Sequence, residues 1–547
     1  MKNYFLFAAT GLLSIASFAQ KKTVDLLLYN ATIYTVDKNF SVASAMAVKD
    51  GKILETGDSK KLLSQYDAKE KLDAKGAAVY PGFIDAHSHF LGYGLGLQTA
   101  NLVGTESWEE ILNRLLDFEK KKNLQPGQWL VGRGWDQNDW AVKEFPSKEK
   151  LDALFPNNPV MLTRVDGHAA IANQQALKLA GVTASTHLNG GQVEVKNNKL
   201  TGILVDNAVG LVGSKIPSPS VSQVSSALMD AQRACFAVGL TSLSDCGVSH
   251  QVATLFDSLQ KKGLLKMRIY AMLSDATENY NWARVHGKIK TASLNVSSFK
   301  VYADGALGSR GACLLQPYTD KPDWTGFLLS SQQHFDSVAA VIYKMNWQMN
   351  THAIGDSGNR TMLKIYSKYL KGKNDRRWRI EHAQVINRED FSLFGKYSIV
   401  PSVQPTHATS DMYWAGNRLG AQRLKGAYAY RDLLKENGWI PLGTDFPVED
   451  ISPFKTFYAA VFRMDAKGFP AGGFQMENAL RREDAICGMT IWAAKAAFEE
   501  GEKGSLEKGK FADFVLLDQD LMKASPKAII DAKVLATYIS GVKVYGK

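Results

Sequence analysis

Cysteine is scarce in this sequence, with four residues in a chain of 547. So few cysteines exclude a disulfide framework, and none of them has the spacing of a zinc knuckle. We expect four buried thiols, although a disulfide between Cys235 and Cys246 is open; the other two are Cys313 and Cys487. Their pattern does not indicate a cysteine nucleophile.

Concentrated charge of one sign is also lacking. The chain has 65 Lys and Arg against 54 Asp and Glu, a formal net charge of +11. The excess falls in short lysine runs such as Lys120-Lys121-Lys122, which are typical of solvated helix faces. No basic block alternates with aromatic residues, so the sequence predicts no nucleic-acid partner. Internal repeats and low-complexity tracts are missing too, which argues against a repeat fold.

The sequence has no hydrophobic run long enough for a membrane-spanning helix. Its one marked run, Tyr4–Phe18, follows a lysine and is shorter than the ~20 residues that a span needs. Ser17-Phe18-Ala19 fits a small-x-small cleavage site. We therefore predict a signal peptide at residues 1–19, cleaved after Ala19, and a periplasmic or secreted protein. The first cysteine is Cys235, so none lies near the cleavage point to carry a lipid.

Short alternating strands occur at both ends of the predicted mature chain. Residues 20–80 contain several, and Asp50-Gly51 supplies a hairpin turn between two of them. Residues 505–547 have the same character. We predict one small β-sandwich domain built from both termini, flanking a middle domain at 81–504.

The middle of the chain alternates short apolar strands with helical patterns, as in parallel β/α units. Eight strands can be placed: Gly82–His87, Leu240–Asp245, Met267–Leu273, Ser298–Tyr302, Gln348–His352, Trp378–His382, Ile399–Gln404 and Ile440–Asp445. The predicted fold class is therefore α/β, a (β/α)8 TIM barrel with its active site at the carboxyl ends of the strands. Roughly 150 residues separate the first two strands, too many for one connection. An inserted cap subdomain is predicted at about 100–215.

The first predicted strand ends in a pair of metal-binding side chains. His87 and His89 are two residues apart, so they point to the same side of the chain. A lone His-x-His has little meaning, but further polar residues lie at or near the ends of later strands: Lys300, His352, His382 and Asp445. The ends of barrel strands converge on one mouth, so this set predicts a metal site there.

The segments around these residues resemble the amidohydrolase superfamily, and more closely its branch of N-substituted formamide deformylase-like hydrolases. The resemblance covers nearly the whole mature chain. It rests on Pro81-Gly82-Phe83-Ile84-Asp85-Ala86-His87-Ser88-His89, Lys300-Val301-Tyr302-Ala303-Asp304-Gly305, Thr351-His352-Ala353-Ile354-Gly355-Asp356, Ile380-Glu381-His382-Ala383-Gln384, Gly443-Thr444-Asp445-Phe446-Pro447-Val448 and Gly504–Asp513.

The resemblance implies two ion sites. It assigns His87, His89 and Asp445 to one, His352 and His382 to the other, and Lys300 to both. Lys300 would be carboxylated, because an ammonium cannot ligate a cation whereas a carbamate offers two anionic oxygens. The alternative is an ordinary lysine paired with Asp304, which leaves one metal. Mixed imidazole and carboxylate ligands suit Zn²⁺ best, and Mn²⁺ or Fe²⁺ are open.

The catalytic roles follow from these ligands and from the side chains at the barrel mouth. A metal-activated water attacks the substrate carbonyl, and Asp445 is expected to act as the general acid and base that carries the proton to the leaving amine. His407 would donate a hydrogen bond to the substrate oxygen, or else order its loop. Predicted substrate contacts are His168, Asp304, Gln404 and Trp135, each of which has a structural alternative.

The predicted function is that of an enzyme, a metal-dependent hydrolase of carbon–nitrogen bonds other than peptide bonds. Its substrate would be a small molecule of the N-formyl or N-acyl amine type. An esterase, lactonase or deaminase on the same metal site is the enzymatic alternative, because strand-end ligands do not choose among these reactions. A non-catalytic binding or regulatory protein on the same barrel is the alternative of another class. No membrane partner is expected, and a homodimer is open.

Overall fold

The computed structural model describes residues 21–546, so the predicted signal peptide lies outside the described residues. Its centre is a barrel of parallel strands. In chain order they are β1 (Phe83–Ser88), β2 (Leu240–Val248), β3 (Arg268–Ser274), β4 (Leu294–Tyr302), β5 (Gln348–Ala353), β6 (Arg379–His382) and β7 (Val400–Ser402). Each strand pairs in parallel with the next, and a short strand at Ile289–Lys290 pairs antiparallel to β4. The predicted α/β barrel is confirmed.

The predicted eighth strand, Ile440–Asp445, is wrong as a strand. The segment makes only one parallel bridge, between Val403 and Leu442. Pro441 has no N–H to donate, and Asp445 has a φ of 63°, which takes the chain out of the extended conformation. Single hydrogen bonds still join this segment to β1, from Ala86 N to Leu442 O (3.1 Å) and from Asp445 N to His87 O (2.8 Å). The segment therefore fills the gap between β7 and β1.

Helices cover the outside and the ends of the barrel. They are Phe90–Gly96, Val221–Ala237, His250–Lys261, Thr277–His286, Gln332–Lys344, Asp356–Leu370, Phe391–Lys396, Pro405–Asp411, Ala415–Leu424, Tyr430–Asn437, Pro453–Phe462, Arg482–Gly488, Ile491–Ala496 and Pro526–Ile530, with 3-10 turns at Arg388–Asp390 and Met476–Asn478. In the described part of the chain, no helix has the length and apolar content needed to cross a membrane.

Local sequence explains how one of these helices begins and packs. Ser220 and Gln223 form a capping box at the start of Val221–Ala237. The helix then lies against Phe90–Gly96, the helix that follows the two histidines. A side chain at Gly94 would come within 2.3 Å of the Ala227 carbonyl oxygen, so only glycine allows the two backbones to approach this closely.

The insertion between β1 and β2 forms a six-stranded sheet. Its order is Gly191–Lys196, Lys199–Asp206, Ala169–Ala172, Val160–Arg164, Leu130–Trp135 and Ala100–Asn101. Its helices are Trp108–Lys122, Glu149–Leu154, Gln174–Ala180 and Val209–Gly213, with a 3-10 turn at Gln137–Asp139. Alternation along one strand places Leu162 and Met161 in separate apolar clusters on opposite faces. The run Lys120-Lys121-Lys122 lies exposed in the last turn of its helix, where the dipole favours positive charge.

Both termini form two further sheets packed face to face. The first has the order Lys52–Gly57, Ala45–Lys49, Lys22–Tyr29, Tyr66–Asp73, with helix Ser59–Gln65 on its outer face. The second has the order Val542–Gly546, Val534–Ile539, Phe514–Leu517, Ala78–Pro81, Thr32–Tyr34, Val42–Ala43. One apolar cluster contains side chains from both, including Leu28, Met46 and Phe514. The predicted turn at Asp50-Gly51 is present, and both residues have positive φ.

The four cysteines are free. Cys235 and Cys246 are buried, whereas Cys313 and Cys487 are partly exposed. The expectation of four buried thiols therefore holds for Cys235 and Cys246 and is wrong for Cys313 and Cys487.

Candidate metal centre

Strand β1 and the helix after it present the first two histidines. Every residue of β1 is buried, and the His87 side chain is fully inaccessible. His89 precedes helix Phe90–Gly96, and its side chain is 29% exposed. The Asp245 carboxylate on β2 accepts the backbone N–H groups of Phe90 and Leu91 at 3.0 and 3.3 Å. The start of this helix, and with it His89, is therefore tied to the neighbouring strand.

Glu381 on β6 fixes the orientation of His87. Its Oε2 lies 2.6 Å from His87 Nδ1, and both side chains are fully buried. Burial alone would raise the pKa of Glu381, but His87 and Arg379 hold it below the usual value. The carboxylate is therefore ionised and accepts the Nδ1 proton, which leaves His87 Nε2 free to face the centre. Sequence reasoning missed this role, although Glu381 stands directly before His382.

Asp445 lies at the meeting point of three histidines. Its Oδ1 is 3.2 Å from His89 Nε2 and 3.5 Å from His87 Nε2, and its Oδ2 is 3.6 Å from His407 Nε2. Burial by itself would raise the pKa of Asp445. The neighbouring His87 and His89 outweigh that effect and hold the pKa well below its usual range, so the carboxylate is ionised at neutral pH.

His352 and His382 complete the cluster. Their ring centroids are 4.5 Å apart, and the His382 ring lies 4.7 Å from that of His87. Burial lowers the pKa of both residues well below 6.5. Burial and then the charge of Lys300 lower the pKa of His87 to about 4. All three imidazoles are therefore neutral at pH 7, which is the form that binds a cation.

The side-chain atoms of this cluster fit a divalent metal. Several of them are buried without a hydrogen bond of normal geometry: His352 Nε2, His382 Nδ1, His407 Nε2 and Asp445 Oδ1. Buried polar atoms are ordinarily satisfied, so four such atoms in one cluster call for a ligand. His87, His382 and Asp445 each offer an atom within 4.8 Å of the others. Neutral imidazoles with one carboxylate are a typical donor set for a transition-metal ion.

Lys300 on β4 is fully buried beside the cluster. Its Nζ lies 3.3 Å from His87 Nε2 and 4.7 Å from the centroid of the Tyr302 ring. Among residues 21–546, no carboxylate lies within ion-pair distance of this Nζ. The alternative pairing with Asp304 is not observed. The Asp304 oxygens instead accept the backbone N–H groups of Cys313, Ile354 and Gly355 at 2.8 to 2.9 Å.

A cavity of about 1060 Å³ opens above the cluster, between the barrel mouth and the insertion. From the barrel it is lined by His89, Lys300, His352, His382, His407 and Asp445, and from the insertion by Arg133, Arg164 and His168. The insertion therefore forms one wall of the site.

His168 is the predicted substrate contact that the structure brings to the cavity. Its ring centroid lies 5.0 Å from that of His352, and its Nδ1 lies 2.6 Å from Asp206 Oδ1. Asp206 was not identified from the sequence, because the pairing depends on two antiparallel strands in which Ala169 lies opposite Val205. A sequence motif could not have shown this register.

Three other predicted substrate contacts are not brought to the cavity. Trp135 is fully buried in the apolar core of the insertion, where its Nε1 donates to the Leu162 carbonyl at 2.9 Å. Asp304 is fully buried and is held by backbone amides. Gln404 is buried at the end of β7 and does not line the cavity. These three side chains support the fold around the site and do not line the cavity.

Comparison with known proteins agrees with this geometry. The profile described as Amidohydrolase family matches residues 70–545. The chain is 32% identical to Protein LONG AFTER FAR-RED 3 of Arabidopsis thaliana, across 95% of this chain and 91% of that protein. It is 26% identical to the N-substituted formamide deformylase of Arthrobacter pascens, across 95% and 98%. An uncharacterized metal-dependent hydrolase of Pyrococcus horikoshii superposes with a TM-score of 0.73 at 26% identity, across 92% and 99%. The chain belongs to the amidohydrolase family and is a metal-dependent hydrolase.

Proposed function

We propose that this hydrolase cleaves the C–N bond of a small N-formyl or N-acyl amine. The proposal depends on a cluster of buried metal-binding atoms that have no hydrogen-bond partner. They belong to His352, His382, His407 and Asp445 and lie at the floor of a cavity. The similarity to an N-substituted formamide deformylase over 95% of the chain supports an amide-type bond. The cavity volume of about 1060 Å³ suits a small molecule.

We propose Zn²⁺ as the metal, in one or two ions. The residues that would hold it are His87, His89, His352, His382 and Asp445, and Lys300 would supply further oxygen ligands if carboxylated. A divalent cation bound there would lower the pKa of a coordinated water toward about 7 and polarise the scissile carbonyl. A carbamate is consistent with the Lys300 environment, because its Nζ is buried and has no carboxylate partner in the described part of the chain.

The proton in this proposal is carried by Asp445. Its low pKa keeps it ionised at neutral pH, so it can accept a proton from the attacking water. It then returns the proton to the leaving nitrogen. His407, whose Nε2 lacks a partner and lies 3.6 Å from Asp445 Oδ2, is placed to donate a hydrogen bond to the substrate oxygen.

The proposal is tested with a panel of substrates, one variant of the site and one control variant. The metal-loaded protein is assayed on N-formyl and N-acetyl amines, on matched esters and lactones, and on amino heterocycles that report deamination. We expect turnover of the amides, and loss of it by at least about 10³-fold in Asp445→Asn, which keeps the shape but removes the base. Asp336→Asn, at a partly exposed carboxylate that pairs with Lys368 outside the cavity, is the control and should retain activity. Turnover confined to esters or to deamination would show that the amide assignment is wrong.

We also propose that the enzyme works outside the cytoplasm, on the strength of the predicted signal peptide. Amino-terminal sequencing of the exported protein should begin at Gln20. A start at Met1, with the protein retained in the cytoplasm, would contradict this.

A further inference from the structure

The cationic side chains of the cavity differ in whether their charge is balanced. Arg164 lies between two carboxylates, with Nη1 on Asp166 and Nη2 on Asp136. Lys455 pairs with Asp450 at 2.7 Å. Arg133 has no such partner: its Nη2 donates to the Val165 carbonyl at 2.9 Å, and its buried Nε has no partner. Within residues 21–546, only Arg133 and Lys300 among the lysines and arginines that line the cavity lack a carboxylate.

The local backbone aims Arg133 at the cavity. It lies on strand Leu130–Trp135 between two glycines. Gly132 faces the apolar core, where a side chain would meet Leu102 and Leu162 at 3.0 to 3.1 Å, so alternation turns Arg133 to the opposite face. Gly134 has a φ of 110° and the register shifts between Arg133 and Trp135, which returns Trp135 to the core. Arg133 is thus presented by a strand rather than by a loop.

The surroundings of Arg133 connect it to the metal centre. A side chain at Gly167 would lie 3.5 Å from both Nη atoms, so the guanidinium packs over the residue before His168. The His168 ring is in turn 5.0 Å from the ring of His352. Asp166 cannot balance Arg133 by itself, because one of its oxygens binds Arg164 and the other accepts the His168 backbone N–H at 2.9 Å.

This arrangement leaves a half-buried guanidinium that faces the cavity and is short of acceptors. Burial lowers the pKa of Arg133, and the more distant Asp166 and Asp445 offset that only in part. A planar guanidinium matches a carboxylate through two parallel hydrogen bonds, and such a pair is stronger in a water-poor cleft. An anion supplied by the substrate would satisfy both the charge and the free N–H groups.

We propose that the substrate carries a carboxylate that Arg133 binds, so that the amide cleaved is an N-formyl or N-acyl amino acid rather than a neutral amide. This inference rests on the proposed amide hydrolysis. It assigns Arg133 as the residue that determines specificity and places the substrate anion on the wall formed by the insertion, away from the metal ligands.

A matched substrate pair tests the assignment. N-formylphenylalanine and N-formylphenethylamine share a skeleton and differ only in the carboxylate. We expect wild-type kcat/KM to favour the acid by about 10- to 100-fold, as one charge-assisted pair provides. Arg133→Met should remove this preference, mainly by raising KM for the acid. Lys455→Met, which removes a cavity cation already paired with Asp450, should keep the preference. Equal use of both substrates by the wild type, or a preference retained in Arg133→Met, would overturn the inference.

A binding measurement separates this inference from the proposed reaction. Thermal unfolding of the purified wild type is followed with N-acetylphenylalanine and with N-acetylphenethylamine. The acid should raise Tm more than the neutral amide, and this difference should vanish in Arg133→Met. Arg133→Lys keeps the charge but loses the paired N–H groups of the guanidinium, so it should retain part of the difference. A carboxylate-dependent shift without amide turnover would refute the reaction and leave the anion site standing. Amide turnover with no carboxylate-dependent shift would refute the anion site alone.

Discussion

At the scale of single residues, the metal centre depends on side chains that touch the ligands as well as on the ligands themselves. Glu381 is the clearest case, because it holds the Nδ1 proton of His87 through a buried 2.6 Å contact. Asp85 acts on the backbone: it accepts the N–H groups of His87 and Thr444 at 3.1 and 3.0 Å, and so joins β1 to the segment that carries Asp445.

Glu381→Gln should weaken metal binding by about 10- to 100-fold, because the neutral amide makes His87 a poorer donor and no longer fixes its tautomer. Metal affinity is measured by competition with a chelator. Glu389→Gln makes the same change in an exposed residue that pairs with Arg360, and it should bind metal as the wild type does. An unchanged affinity in Glu381→Gln would contradict the role given to Glu381.

Lys300 should carry a carbamate in the metal-loaded protein, because its Nζ lies 3.3 Å from His87 Nε2 at the metal site and only a carbamate would give it oxygens that can ligate a cation. Protein equilibrated with ¹³C-bicarbonate is expected to show a carbamate resonance, and Lys300→Met should lack it. Lys503→Met is the control, because Lys503 is equally buried but paired with Glu499 at 2.6 Å. A metal-loaded wild type without the resonance would favour the one-metal alternative.

The ligands could be predicted from the sequence, whereas most of their supports could not. His87, His352, His382 and Lys300 stand on parallel strands whose ends must meet, so chain position alone brings them together. The partner of His168 depends on the register of two antiparallel strands, which the sequence does not display. The prediction of Trp135 as a substrate contact is wrong, because a bulge at Gly134 turns its side chain into the apolar core of the insertion.

At the scale of elements, the barrel closes through a segment that is not a regular strand. Seven predicted strands are present. In the eighth segment, Ile440–Asp445, Pro441 is a sequence signal against a regular strand, whereas the positive φ of Asp445 is not visible in the sequence. Its close approach to β1 depends on Gly443, where a side chain would come within 2.6 Å of His87 N and 2.8 Å of Asp85 Oδ1. The absence of a side chain at Gly443 therefore allows the segments that hold His87 and Asp445 to lie in contact.

Gly443→Ala should destabilise the protein by about 1 to 3 kcal/mol and reduce its metal content, because β1 and the Asp445 segment must move apart. Denaturant unfolding and metal analysis measure the two effects. Gly210→Ala, in helix Val209–Gly213 with no atom within 4 Å of the added carbon, should be neutral or slightly stabilising. Wild-type stability and metal content in Gly443→Ala would contradict the packing described for this segment.

At the scale of the whole molecule, the terminal domain supports the barrel from the end opposite the cavity. Its strand Ala78–Pro81 leads directly into β1, and Phe514 pairs with Pro81. Arg268 at the start of β3 binds Asp513 through two hydrogen bonds of 2.6 and 2.9 Å, with both side chains buried. The strand that carries His87 and leads to His89 is therefore anchored by the two ends of the chain together.

Asp513→Ala should lower the free energy of unfolding by about 3 to 5 kcal/mol, because it leaves the Arg268 guanidinium buried without its partner. Denaturant unfolding measures the loss. Asp336→Ala removes a partly exposed partner of Lys368 and should cost at most about 1 kcal/mol. Equal losses in the two variants would show that the terminal domain is not held to the barrel through this pair.

The most direct test of the metal centre is anomalous X-ray diffraction from crystals of the full chain, collected on both sides of the zinc absorption edge. We predict one or two anomalous peaks at the barrel mouth, bounded by His87, His89, His352, His382 and Asp445, with Lys300 beside them. Crystals of Asp445→Asn should show a weaker peak or none. An anomalous map of zinc-supplemented wild type with no peak at this place, or with its peak elsewhere, would contradict the account.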